Sequence, residues 1–216
     1  MTAANVLATP PRFPRFLLPA NPPADPLDLD AAVAAGAFSA LRTAVTELKA
    51  DGVIAALSES GMRGRGGRGV PIGDKWRACA RTAADRHYVV INAYQSDPAV
   101  ITDRVLIERN PYAVIEGAAI GAFAVGATEV IVALRVEATD TIKAVETAIA
   151  AAEAAAFIGE NVLGTGLEIR FSVRPLQGNY MLGEETVLLK GLRASAASPN
   201  SSRRTPRPAA SSARRR

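Results

Sequence analysis

The segment SGMRGRGGRGVPIGDKW, residues 60–76, sets six glycines among three arginines and one lysine. Glycine lets the backbone adopt positive φ and come close to a ligand. Successive backbone N–H groups freed in this way form an anion-binding concavity. Flanking cations then favour phosphate, and a nucleotide is the natural source. A second reading of the same composition is a flexible basic connector of the Arg-Gly kind that contacts RNA. The position between two ordered segments, with Lys75 and Trp76 close behind, favours a structured loop. Gly64 to Gly69 satisfies the letter of G-x-G-x-x-G, but a helix precedes it and Val70-Pro71 follows. The ordinary dinucleotide fingerprint needs a strand before and a helix after. A Walker A loop is excluded because no Gly-Lys-Ser/Thr follows.

Other chemistry is limited by what the chain lacks. One cysteine, Cys79, rules out an internal disulfide framework and a cluster held by four cysteines of this chain. One histidine, His87, leaves no ordinary zinc site. Cys79, three residues after Trp76, reads as a packing residue, and His87 as a surface or edge residue at a strand start. Neither is assigned to catalysis.

Elements that position the glycine loop follow from periodicity. Residues 1–28 hold seven prolines and read as an extended arm, with Phe13, Phe16, Leu17 and Leu18 pinning it to the body. A helical pattern starts at Asp30 and puts Phe38, Leu41, Val45 and Leu48 on one face. A short helix over 53–57 enters the loop. Residues 88–93 (YVVINA) and 129–135 (EVIVALR) read as buried strands, and 167–173 as a third. Between them lie helices over 99–109, 111–125 and 140–157, the last with Ile142, Val145 and Ile149 facing inward. Alternating strands and helices predict an α/β fold with a largely parallel sheet flanked by helices. Ligands in such sheets gather at the strand C-terminal ends. Those ends are 92–97, 135–137 and 174–180.

Charge is unevenly spread. The formal net charge is +4, yet residues 193–216 hold seven arginines and no acid, so residues 1–192 carry 18 basic and 21 acidic side chains. Basicity therefore says little about nucleic-acid binding by the folded part. In 193–216, 22 of 24 residues are Arg, Ala, Ser or Pro, a composition that cannot bury a core and reads as disordered. No secretory signal or membrane-length apolar run is expected. The expected location is cytoplasmic.

Several blocks together resemble a known family. Residues 60–76 are similar to SGLRGRGGAGFPTGxKW of the NADH-binding, FMN-containing subunit of respiratory complex I (NADH-quinone oxidoreductase) and its relatives in NAD-linked hydrogenases and formate dehydrogenases. In the same order, Val89 to Ala93 resembles VVNADEGEPG. Asp103-Arg104 and 110–117 resemble KDRxxMxxxPHxLIEG, 157–164 resembles GLIGKNxxG, and 178–186 resembles GAYICGEETAL. The likeness spans about 30–191. It implies a Rossmann-like FMN- and NADH-binding domain over 29–192, between the arm of 1–28 and the tail of 193–216. Residue by residue, it places the FMN and NAD(H) cradle on Gly64, Arg65, Gly66, Gly67, Gly69, Gly73, Lys75, Asn92, Tyr180, Gly183, Glu184 and Glu185. No side chain is implied as catalytic acid or base, because the flavin carries the redox chemistry. Without the resemblance, Glu184-Glu185 would read as an acidic helix start favoured by the macrodipole.

The resemblance also implies partners: the small and large iron–sulfur subunits that adjoin this one in an NADH dehydrogenase complex. Contact with the cytoplasmic face of a membrane would be only through them, and no nucleic acid is expected. Departures are specific. Tyr94 and Gln95 stand where the family has an acidic pair, Asp97 where it has a second glutamate, Val70 where it has a phenylalanine, and Leu182 where it has a cysteine. The pattern stops near Gly191-Leu192, before the family's [4Fe–4S] cysteines, so that cluster site is not expected in this chain. A frameshifted or truncated GC-rich gene would produce such an end. The alternatives are a diaphorase subunit of a hydrogenase or formate dehydrogenase, and a non-catalytic remnant or basic-tailed binding module.

Overall fold

The structure, a computed structural model, describes residues 17–18, 22–65, 68–97 and 99–197. Elements run α1 (Leu29–Ala34), α2 (Ser39–Thr43) continuing as a π-turn (Ala44–Leu48), α3 (Lys49–Glu59), α4 (Ile72–Arg81), β1 (Tyr88–Ala93), α5 (Thr102–Arg109), α6 (Pro111–Val125), β2 (Glu129–Arg135), α7 (Thr139–Ala154), β3 (Gly159–Val162), β4 (Leu167–Leu176), a 3-10 turn (Tyr180–Gly183) and α8 (Glu185–Ala197).

The sheet has the order β1-β2-β4-β3. β1, β2 and β4 are parallel, and β3 closes the far side as an antiparallel hairpin with β4. Period-2 alternation divides the strands between two faces. Val89, Val130 and Phe171 align on one face, as do Ile91, Val132 and Val173. These pack with α6 and α7 into the main core. The other face carries Val90, Ile131 and Ser172, then Asn92, Ala133 and Arg174. Its C-terminal end is covered by Leu182, Val187, Leu188 and Leu192 of the 3-10 turn and α8.

α6 is the axis of the helical layer. Pro111 opens it and Gly126, at φ 71°, closes it, the expected asymmetry of helix ends. Its Gly121 admits the Trp76 ring of α4: a Cβ there would stand 3.2 Å from Cη2. Its Glu116 carboxylate accepts a hydrogen bond from Leu41 N at 3.0 Å, and Tyr112 donates from its hydroxyl to Leu27 O at 2.6 Å, tying the N-terminal segment to the core.

Several elements differ from the sequence expectation. The single helix from Asp30 is broken at Phe38, whose φ of 63° turns its ring to stack on Phe157 with centroids 4.2 Å apart. The π-turn then rotates Leu48 off the buried stripe, leaving it 44% exposed. The short helix of 53–57 is in fact α3, eleven residues long. β3 is an additional strand: its exposed centre, Glu160-Asn161, lacks the apolar alternation that marks one in the sequence. Finally, α8 continues to Ala197, past the expected domain end at 192, because Arg-Ala-Ser-Ala-Ala favours helix. Residues 198–216, and the arm up to Phe16 with its Phe13 anchor, lie outside the described residues.

Candidate functional site

The glycine loop is a closed hairpin. Arg63 and Pro71 form an antiparallel bridge. Ile72 N donates to Met62 O at 3.0 Å and Gly64 N to Val70 O at 2.8 Å. Arg63 Nη1 donates to Gly69 O at 2.9 Å. Gly69 sits at φ 60° and Gly61 at φ 65°, where a side chain would be strained. Arg65 projects at the tip and is exposed, and Gly66 and Gly67 fall outside the described residues. The return rail runs straight into α4, whose N-terminus has Pro71 at the cap and no side-chain cap bond. Such an end presents backbone N–H groups and a positive dipole to an anion. Lys75 stands exposed in the first turn, with no ion pair among the described residues. Gly73 faces the opposite way. It is buried against Ser58 of α3, whose Cα would lie 2.9 Å from an added Cβ, so its glycine is accounted for by helix packing without any ligand.

The second group forms at the C-terminal ends of the strands. Asn92 Nδ2 donates to Gly183 O at 2.9 Å, pinning the 3-10 turn to the end of β1. Ser96 fills the space beside Gly183, its Cβ 2.6 Å from where a side chain would begin. Tyr180 is 66% exposed on the outer side of the turn. Glu184 caps α8: its Oε2 accepts from Thr186 N at 3.0 Å, Thr186 Oγ1 at 2.5 Å and Val187 N at 3.1 Å. Oε2 is thus occupied by the helix start, and Oε1 has no protein partner among the described residues. Glu185 is exposed beside it.

The Thr186 hydroxyl, then the Thr186 and Val187 amides, hold the Glu184 carboxyl below its ordinary value of 4.5. A lowered folded-state value means the cap contributes fully above the unfolded-state value. That contribution fades as pH falls through the folded one. Glu184→Gln is expected to lower stability at neutral pH and to converge on the wild type in acid, where neither side chain is charged, so that its stability changes less as pH falls below 4.5. Urea midpoints across that range check it, and parallel limbs for both proteins would refute it.

No hydrogen bond or ion pair among the described residues joins the hairpin to the strand-end group. Two larger hollows lie elsewhere. One of about 450 Å3 is lined by Arg104, Glu108, Glu137, Asp140 and Thr141, and an apolar one of about 360 Å3 by Trp76, Cys79, Ile91, Val114 and Gly121. Cys79 is thus a half-buried packing residue. His87 is better held than a surface residue: its ring nitrogens lie 2.8 Å from Val125 O and 3.0 Å from Thr82 O. Tyr94, which in the sequence shows only as a departure from the family pattern, is fully buried beneath the turn. Its place directly after β1 is the one signal of that in the sequence.

The residues can be tested against a flavin mononucleotide. Its phosphate needs cations and backbone donors, which the hairpin, Arg65, Lys75 and the open end of α4 supply. Its polar edges need donors at the strand ends, and there Asn92 Nδ2 and the buried, unpaired Tyr94 hydroxyl are present. The donor set fits.

The largely parallel α/β sheet with a glycine hairpin at a helix N-terminus is an arrangement suited to a phosphate-bearing ligand. The chain belongs to the Nuo51 FMN-binding domain family, whose model matches residues 57–209. It is 37% identical over 166 residues to the second F-type subunit of the NADH-quinone oxidoreductase of Rhizobium meliloti (strain 1021), covering 77% of this chain and 39% of the relative. It is 35% identical over 175 residues to NADP-reducing hydrogenase subunit HndC of Solidesulfovibrio fructosivorans, covering 81% and 35%. Among solved structures it resembles an NAD+-reducing [NiFe]-hydrogenase in the H2-reduced state, with TM-score 0.58, 32% identity, and coverage of 66% of this chain and 24% of that one. The chain therefore spans well under half the length of these relatives. No helix among the described residues is long and apolar enough to cross a membrane.

Proposed function

We propose that this chain is the FMN- and NADH-binding part of an NADH dehydrogenase-type electron-input subunit. The observation that carries the reading is the closed glycine hairpin delivering Lys75 to the uncapped start of α4, in a chain of the FMN-binding family. Bound FMN would accept hydride from NADH and release electrons singly. Arg65, Lys75 and the hairpin amides around Gly64, Gly66, Gly67 and Gly69 hold phosphate. Asn92 and the turn from Tyr180 to Gly183 hold the polar body of the flavin. Glu184 Oε1 and Glu185 accept from ribose hydroxyls or the carboxamide of NADH. Gly73 serves the site by seating α4 against α3. The folded unit is 29–192 with α8 completing it to Ala197, flanked by the arm and the basic tail.

Onward transfer would reach iron–sulfur centres of the small and large partner subunits. Contact with the cytoplasmic membrane face would be through those partners. A second reading, a diaphorase subunit of a hydrogenase, is favoured by the likeness to the two hydrogenase chains.

The test is spectroscopic. The purified chain with added FMN is expected to retain flavin on gel filtration, absorbing near ~450 nm and bleaching with NADH. A folded chain that stays colourless at saturating FMN would sink the proposal.

A further inference from the structure

Tyr94 is the one buried side chain among the described residues whose hydroxyl finds no hydrogen-bond partner. Its exposure is 0%. The ring leaves the end of β1, passes beneath the Arg135 guanidinium with the carbon 5.3 Å from the ring centroid, and packs among Ala133, Leu176, Leu182 and Leu188. The hydroxyl reaches the segment after β4: a Cβ on Gly178 would stand 3.3 Å from it and 2.7 Å from Leu182 Cδ2. The 3-10 turn thus lies over the hydroxyl, fastened by Leu182 below and by the Asn92–Gly183 hydrogen bond at its edge.

An unpaired buried hydroxyl is costly, and phenylalanine would fill the same apolar pocket without that cost. A buried unpaired group in a native protein calls for an explanation, and use by a ligand-bound state is one. Two groups share this situation at one strand end. Asn92 Nδ2 is satisfied only by the turn's own carbonyl, and the Tyr94 hydroxyl is satisfied by nothing. Both become available together when the turn lifts, which also draws Leu182 out of its cluster with Leu176 and Leu188, while Glu184 holds the start of α8.

We propose that the Tyr94 hydroxyl is a ligand-binding donor kept under a hinged cover, residues 180–183. Entry of the flavin breaks the Asn92–Gly183 hydrogen bond and gives both Asn92 Nδ2 and the Tyr94 hydroxyl an acceptor on the ligand. This rests on the flavin reading of the strand-end cleft. It also makes the tyrosine a working feature of the site, where the sequence showed only the loss of an acid.

The experiment is Tyr94→Phe in the full chain, with two readouts. In urea denaturation without ligand, the variant is expected to match or exceed the wild-type midpoint, because the removed group was unpaired. In flavin fluorescence titration, its Kd for FMN is expected to rise about 10-fold, the scale of one lost hydrogen bond to a ligand. A lower midpoint overturns the proposal, since the hydroxyl would then serve the fold. An unchanged Kd overturns it as well. A wild-type chain that takes up no FMN defeats the flavin reading itself, whatever the two midpoints show.

Discussion

Gly73→Ala is expected to lower the unfolding free energy by about 2–3 kcal/mol, out of the ~5–15 kcal/mol that holds a domain of this kind together. Gly73 opens α4 facing Ser58 near the end of α3. An added Cβ would come within 2.9 Å of both Ser58 Cα and Ser58 N and would collide with Oγ as well. Backbone atoms cannot rotate away as a long side chain would, so α4 must shift as a body. That shift would strain the rails of the hairpin, because Ile72 N is bonded to Met62 O, and it would loosen Arg77, whose Nη2 donates to Ser58 Oγ at 2.9 Å. The better helix propensity of alanine, worth up to ~1 kcal/mol, offsets only part of the clash. Gly117 in α6 is the matched control. An added Cβ there meets nothing within 4 Å, so Gly117→Ala is expected to stabilise by about 0.5–1 kcal/mol. Urea midpoints at unchanged m-value decide both. Equal effects of the two substitutions would show that the α3–α4 contact does not constrain position 73.

Local chemistry determined which parts of this architecture could be read in the sequence. The span expected for α6, 111–125, is the one found, because Pro111 and Gly126 punctuate it. β2 is found as expected because its apolar run is bounded on both sides. The continuous helix expected through Phe38 and Leu48 is not found, because periodicity assumes 3.6 residues per turn throughout. A left-handed Phe38 and a π-turn, both set by packing against Phe157 and α6, break that assumption. At the site, glycine identity predicts a structured loop with positive-φ positions, which the structure shows to be a hairpin. The bonds that close it, Arg63 to Gly69 O and Gly64 to Val70 O, engage backbone carbonyls, and no residue type announces those. Glu184 shows the same limit from the other side. Its helix-start reading was available from sequence alone, and the structure gives it that role through Thr186 and Val187. Tyr94 was legible only as a missing acid, because its burial depends on Leu182 and Leu188, far along the chain.

Lys75→Ala is expected to weaken FMN binding by about 10–100-fold, the range of a lost charge-assisted hydrogen bond. Riboflavin, which lacks the phosphate, should bind the variant as well as it binds the wild type. Lys75 lies in the first turn of α4, where no side chain caps the helix and where the hairpin returns through Pro71. In the proposed site the helix end and the ammonium would act on the same ligand group. Asp74 shares this turn and would oppose an anion, but it is paired to Arg77 at 3.1 Å, which moderates its field. Because Lys75 is exposed and carries no ion pair among the described residues, its removal should leave the urea midpoint in place, separating ligand loss from fold loss. The residual FMN affinity should also depend less on salt, since one cation fewer is screened. Parallel losses for FMN and riboflavin would instead mean that Lys75 acts through the shape of the hairpin, and no loss for either would place the phosphate away from α4. The first pattern alone ties the glycine hairpin to the phosphate end of the flavin. It would leave Asn92, Tyr94 and the turn over them to hold the remainder, which is the division of labour that the two separate residue groups imply.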